Sequence, residues 1–508
     1  MKLTVRLMAL ALGLLWPVTT IAQPTPAERL ADALQTTPDD SLAVTQHTLE
    51  LEGQEPIHYY ATTGYKQLRS DSGEEKAKIF FMAYTRSDQG SESDRPITFT
   101  FNGGPGSSSV WLHLGALGPR RVAMGDDGEQ PGPPYRVTDN IGTWLGFTDL
   151  VFLDPVSTGY SRATKAEEAG EYHGLEGDIQ SVGEFIRLYL TQHQRWASPK
   201  FLCGESYGTT RAAGLSGYLQ QNGIALNGIV LVSAILEFQT ARFDRGNDLP
   251  YALFLPTYTA TAWYHERLPE DLQGDLRATL DEVEAFAEGE YVSALMKGAK
   301  LSGEQRRYIA EKLSRYTGLD VDYLEQTNLR IDIQRFCKEL MRDGARTVGR
   351  LDSRYVGTDY DSAGETPSYD PSMSAIRGPY TGAFNAYVRE ELGYKNDLPY
   401  EILTGRVHPW TYGSESDQGY IEVASRLRSA ISQNPGLKVL VAAGYYDLAT
   451  PYFAAEYTMN HLGLDPSLQG NIRFTYFESG HMMYVRKPDL LKLQQDAHEF
   501  YRSTLESL

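Results

Sequence analysis

Short apolar runs recur through the first half of the chain and again near its end, each bounded by glycine, proline or polar residues. Ile97–Phe101, Asp149–Asp154, Lys200–Cys203, Gly228–Val232, Leu437–Ala443 and Arg473–Glu478 have the length and side-chain content of buried strands. Helical periodicity falls between them. Asp178 to Trp196 sets Ile179, Val182, Ile186 and Leu190 on one face, and Tyr452 to Leu462 also reads as a helix. Strands apolar throughout, alternating with helices, predict a doubly wound, mostly parallel sheet covered on both faces, an α/β fold. Two hairpin strands, Ile57–Ala61 and Lys78–Tyr84, are expected at its edge.

From about 240 to 375 the alternation stops. The chain there is tyrosine-rich and helical, with helix signals at Glu270–Ala285 and Gly303–Arg315 and no convincing buried strand. The expected organisation is a signal peptide over 1–22 and a mobile start to the mature chain over about 23–45. The core spans 23–240 and 376–508, and a helical cap is inserted at 241–375. No internal repeat stands out.

Candidate chemistry sits at the ends of the strands. Gly204-Glu205-Ser206-Tyr207-Gly208 follows Lys200–Cys203 directly. A G-x-S-x-G run could be a glycine-rich surface turn. After a strand, it is the sharp strand-to-helix turn that exposes a nucleophilic serine. Asp447 follows Leu437–Ala443, and His481 follows Arg473–Glu478. Doubly wound sheets gather functional groups at such ends. The order Ser206, Asp447, His481 is that of an α/β-hydrolase triad, with the inserted cap above the active site. After Ile97–Phe101, Asn102-Gly103-Gly104-Pro105-Gly106-Ser107 offers backbone N–H groups for an oxyanion hole. No lysine follows in a G-x-x-x-x-G-K pattern, which argues against a phosphate loop.

Four segments together resemble the serine carboxypeptidases of the carboxypeptidase Y type. They are Asn102–Gly106, Phe152–Val156 with Gly159-Tyr160-Ser161, Gly204–Gly208, and Gly480-His481-Met482. The resemblance implies an α/β-hydrolase fold with an inserted cap, and release of C-terminal residues from peptides. It implies Ser206 as nucleophile, His481 as base and Asp447 as the orienting acid. Backbone N–H groups of Gly104 and Tyr207 would form the oxyanion hole. Asn102 and Glu205, with Gly103 beside them, would bind the substrate's terminal carboxylate, and Met482 would line the leaving-residue pocket. Glu205 facing that carboxylate would have to share a proton with it, which favours binding at acid pH. The other reading of Glu205 is a buried elbow residue satisfied by backbone N–H groups. No cofactor is implied.

The sequence departs from the family in several places. Ala116 stands where the family has a second glutamate, Thr100 where it has tryptophan and Ser107 where it has cysteine. Half of the carboxylate clamp is therefore absent. Arg120 and Arg121 follow closely, and one of them is expected either to take over the clamp or to be a solvated charge. An esterase or acyltransferase on the same triad thus stays open. So do an endopeptidase or aminopeptidase and a non-catalytic binding protein.

The remaining signals concern location and partners. A basic start (Lys2, Arg6), the apolar stretch Leu7–Leu15 and Thr20-Ile21-Ala22 read as a signal peptide cut after Ala22, as in a bacterial periplasmic or secreted protein. No membrane anchor is expected. With 66 acidic against 47 basic residues, nucleic acid is not an expected partner. Peptides are. Cys203 and Cys337 read as buried free thiols, and no metal-ligand spacing appears. The acidic stretch from Asp359 to Asp370 lacks the rest of a calcium-loop pattern and is read as a solvated loop.

Overall fold

The computed structural model describes residues 42–88, 94–412 and 419–506. The expected signal peptide and the segment up to 41 lie outside them.

Ten strands form one sheet: β1 (Ala43–Leu49), β2 (Ile57–Arg69), β3 (Glu75–Arg86), β4 (Ile97–Phe101), β5 (Asp149–Leu153), β6 (Arg162–Ala163), β7 (Lys200–Glu205), β8 (Gly228–Val232), β9 (Lys438–Gly444) and β10 (Ile472–Phe477). Their order is β1-β2-β3-β5-β4-β7-β8-β9-β10, with β6 on β3. From β5 to β10 every neighbour is parallel; β1, β2 and β3 form an antiparallel edge. Every residue of β4, β5 and β8 is buried, as unbroken apolar runs require of strands covered on both faces. The helix Leu175–Gln192 carries Ile179, Val182, Ile186 and Leu190 into one core beneath the sheet. The helix Lys487–Glu506 packs Leu490, Leu493 and Phe500 into the core on the other face. This is the α/β-hydrolase architecture.

The expected edge strand at Ile57–Ala61 is longer and runs to Arg69. Between β8 and β9 the chain forms helices with a core of their own, in which Leu253, Phe254, Leu280, Leu313 and Phe336 are buried with Tyr446 and Tyr452. Leu249–Tyr264 escapes the periodicity test because it is apolar on nearly every side, so it shows no polar stripe. Three expectations change here. A small antiparallel pair, Arg346–Val348 with Val356–Thr358, lies where no strand was expected. The helix Pro371–Glu390 runs across the expected boundary at 375/376. The acidic stretch is not simply solvated. Asp359 is buried on the ammonium of Lys338, itself buried, and Ser368 donates to it at 2.6 Å. Arg335 pairs with Glu365, and Arg342 donates to the carbonyls of Ser362 and Gly364. Both cysteines are free and buried. No described helix is long and apolar enough to cross a membrane.

Candidate active site

Because β4, β7, β9 and β10 run parallel, their C-terminal ends share one edge of the sheet, and the loops that leave them meet. Ser206 lies between β7 and the helix Tyr207–Gln221 with φ 59° and ψ −128°. A non-glycine residue held at positive φ is strained, and the surroundings must enforce it. They do so by close backbone approach. A Cβ on Gly204 would sit 2.2 Å from the Gly208 carbonyl oxygen, and one on Gly208 would sit 2.7 Å from that of Phe101. Only glycine fits either place. The Ser206 N–H donates to the Val232 carbonyl at 3.0 Å and anchors the turn to β8.

Asp447 and His481 are bonded. Imidazole Nδ1 lies 2.7 Å from Asp447 Oδ2, and both groups are buried. Oδ1 accepts the N–H groups of Ala449 (2.8 Å) and Thr450 (3.1 Å), and the Thr450 hydroxyl donates to Oδ2 at 2.7 Å. These bonds fix the carboxylate, which in turn fixes the ring tautomer with Nε2 free to accept a proton. Burial alone would lower the imidazole. The bonded Asp447 carboxylate, with Glu205 nearby, outweighs it, and the net shift is upward. The backbone of His481 is tied on both sides. Its N–H donates to the Leu351 carbonyl at 2.6 Å, and its carbonyl accepts the Ser233 hydroxyl at 2.7 Å. Ser206 and His481 line one cavity of about 140 Å³.

The loop that follows β4 closes that cavity. A Cβ on Gly103 would fall 2.3 Å from the Tyr207 nitrogen, so loop and elbow touch through backbone. Among the described residues neither the Gly104 nor the Tyr207 N–H has a hydrogen-bond acceptor, which leaves both donors for a ligand. Asn102 and Glu205 also line the cavity. Asn102 Oδ1 accepts from Leu112 N–H at 3.1 Å, which leaves its buried Nδ2 facing the Glu205 carboxyl. Glu205 is almost fully buried and accepts the Tyr484 hydroxyl. Burial pushes its carboxyl up to about 7, against the opposing pull of His481 and the Tyr484 bond. Tyr484 and Tyr380 crowd the turn that carries Ala116, since a Cβ on neighbouring Gly115 would lie 2.5 Å from each ring system. Met482 also lines the cavity.

Arg120 and Arg121 do not line it. Arg120 is held by Asp139 and Glu391. Arg121 is mostly buried, and burial lowers it against the opposing influence of Tyr380 and Asp126. Arg120 is paired, and neither arginine lines the cavity. The cavity is closed instead by Trp111, Leu403, Met373, Ile376, Leu351 and Arg350, none of which the sequence singled out. Four of these come from residues 350–376, near the end of the inserted block, and no local pattern marks them.

Residues 52–485 match the family model for serine carboxypeptidases. Serine carboxypeptidase-like 13 of Arabidopsis thaliana is 27% identical over 203 residues, covering 39% of this chain and 44% of that protein. The pheromone-processing carboxypeptidase KEX1 of Saccharomyces cerevisiae is 32% identical over 155 residues, 28% of this chain and 20% of that protein. The matched segments thus span less than half the length of these relatives. Serine carboxypeptidase-like 34 of Arabidopsis thaliana matches at 23% identity over 436 residues, 82% of this chain and 77% of that protein. The crystal structure of the yeast prohormone-processing carboxypeptidase superposes with a TM-score of 0.53 at 18% identity, covering 88% of this chain and 91% of that one. These relatives are from yeast and a plant, so the expectation of a bacterial member finds no support in them. The chain belongs to the serine carboxypeptidase family.

Proposed function

We propose that the protein is a serine carboxypeptidase that releases the C-terminal residue of peptides through an acyl-enzyme on Ser206. The observation that carries this reading is the convergence, at one cavity, of a strained Ser206, a His481 bonded to Asp447, two unsatisfied backbone donors, and the Asn102 amide beside a buried Glu205 carboxyl. His481 Nε2 takes the Ser206 proton as Oγ attacks the last peptide carbonyl. The Gly104 and Tyr207 N–H groups stabilise the oxyanion, and His481 then protonates the departing amine. Water, deprotonated by the same imidazole, frees the acyl group. Asn102 Nδ2 and protonated Glu205 bind the terminal carboxylate, which is what restricts cleavage to the chain end. Residues 241–375 act as the cap that shapes the pocket, and entry to the secretory route by a signal peptide ending at Ala22 belongs to the same reading.

One observation favours a second reading. Ala116 and Tyr484 replace a carboxylate pair by a carboxylate and a phenol, so an esterase or acyltransferase on the same triad is the competing activity. Incubation with a serine-directed phosphonate, followed by peptide mapping, tests the nucleophile. Labelling at Ser206, absent in Ser206→Ala, is expected. An unlabelled Ser206 in folded protein would rule out triad chemistry.

A further inference from the structure

The cavity beside Ser206 has mainly apolar walls (Trp111, Leu351, Met373, Ile376, Leu403, Met482) and one cationic side chain, Arg350. The segment that carries it is held firmly. The Arg350 carbonyl accepts the Leu448 N–H at 3.1 Å, next to Asp447, and its own N–H donates to Asp370 Oδ1 at 3.2 Å. The following residue accepts the His481 N–H at 2.6 Å. Arg350 is thus built into the turn between the triad acid and the triad base.

Its charge has no counterion. Among the described residues the guanidinium makes no ion pair or side-chain hydrogen bond. The nearby carboxylates are occupied: Asp352 by Arg354 and the Gly480 N–H, Asp370 by the N-terminus of the helix it caps, Asp447 by His481 and Thr450, and Glu205 by Tyr484. The field of the guanidinium reaches the active site, where it opposes protonation of His481. A partly desolvated guanidinium beside an apolar pocket is most stable with a carboxylate on it, bonded in fork geometry. Asn102, whose Nδ2 faces the Glu205 carboxyl, lines the same small cavity.

We infer that Arg350 and Asn102 together anchor the terminal carboxylate of the substrate, with Arg350 supplying the binding that the family's second glutamate supplies elsewhere. This inference rests on the carboxypeptidase reading. It also reassigns the clamp arginine sought at Arg120 and Arg121 to the inserted block, where no sequence spacing marks it.

The test compares Arg350→Met, Arg350→Lys and wild type at pH 6 on an N-blocked dipeptide ending in leucine, the same peptide ending in glutamate, and the matching leucine ester. Circular dichroism checks that each variant is folded. In Arg350→Met the kcat/KM ratio of free acid to ester is expected to fall tenfold or more, through KM. Arg350→Lys should retain part of it. An unchanged ratio would overturn the inference. So would a loss confined to the glutamate peptide, which would show that Arg350 reads the side chain. If wild type cleaves the ester and no peptide, the carboxypeptidase reading fails, and the anchor is judged by inhibition of ester turnover. Inhibition by 3-phenylpropionate but not its amide, weakened tenfold in Arg350→Met, would sustain it; equal inhibition of both proteins would end it.

Discussion

Replacing Glu205 by glutamine keeps the size of the side chain and an oxygen for the Tyr484 hydroxyl, but removes the titrating carboxyl. In the folded protein burial holds that carboxyl's pKa at about 7, against an ordinary 4.5. Between those values the unfolded chain has released its proton and the folded one has kept it. Stability contributed by this group is therefore complete below 4.5 and is lost as pH rises, until both states are ionised above 7. At about 1.4 kcal/mol per pH unit, the loss amounts to about 3 kcal/mol. Glu205→Gln should thus gain on wild type by about 3 kcal/mol between pH 4 and pH 8, read from urea denaturation at several pH values. On the carboxypeptidase reading the same proton should also govern binding. The wild-type KM for a free-acid peptide should rise above pH 7, where ionised Glu205 repels the substrate carboxylate, and the variant should lack that rise. Asp447, Tyr484 and Asn102 face the same group in both proteins, whereas His481 loses the upward pull of Glu205 in the variant, so its titration is followed separately by the pH dependence of ester turnover. Parallel stability profiles for the two proteins would refute the reasoning, because they would mean that Glu205 titrates as an ordinary carboxylate.

Other perturbations follow from the same geometry. Gly103→Ala places a Cβ 2.3 Å from the Tyr207 nitrogen, so kcat should fall about a hundredfold or more as the oxyanion donors move, in steady-state assays on an ester. Thr450→Val removes a hydroxyl that donates to Asp447 at 2.7 Å; kcat/KM should drop about tenfold, with the pH–rate profile displaced because the imidazole's partner is less fixed. Lys338→Met leaves the buried Asp359 carboxylate unpaired and should cost about 3–5 kcal/mol in urea denaturation, while adding Asp359→Asn should recover part of it.

The strands, and the positions of the three residues proposed as the triad, were readable from the sequence for one physical reason. Strands buried on both faces must be apolar throughout, and a parallel sheet delivers whatever follows them to a common edge. Ser206, Asp447 and His481 each lie within a few residues of such a strand, so local pattern is enough to find them. Arg350 has no such marker. Its backbone is held beside the cavity by the Leu448 N–H and the Asp370 carboxylate, partners well separated from it along the chain. Arg120 and Arg121 looked better placed because they follow Ala116 closely, but nearness in sequence says nothing about the Asp139 and Glu391 carboxylates that hold Arg120. Asp359 likewise resembled a solvated charge, since a buried ion pair and an exposed one have the same composition. Leu249–Tyr264 shows the converse limit: once a helix is buried all round, its periodicity vanishes.

The central claim is cleavage at the C-terminal peptide bond by Ser206. Its most direct test is mass spectrometry of the products from an N-blocked tripeptide and its C-terminal amide, incubated at pH 6 with wild type and Ser206→Ala. The account predicts stepwise loss of the last residue from the free acid alone, and none with the variant. Internal cleavage, equal attack on the amide, or release that survives in folded Ser206→Ala would contradict it.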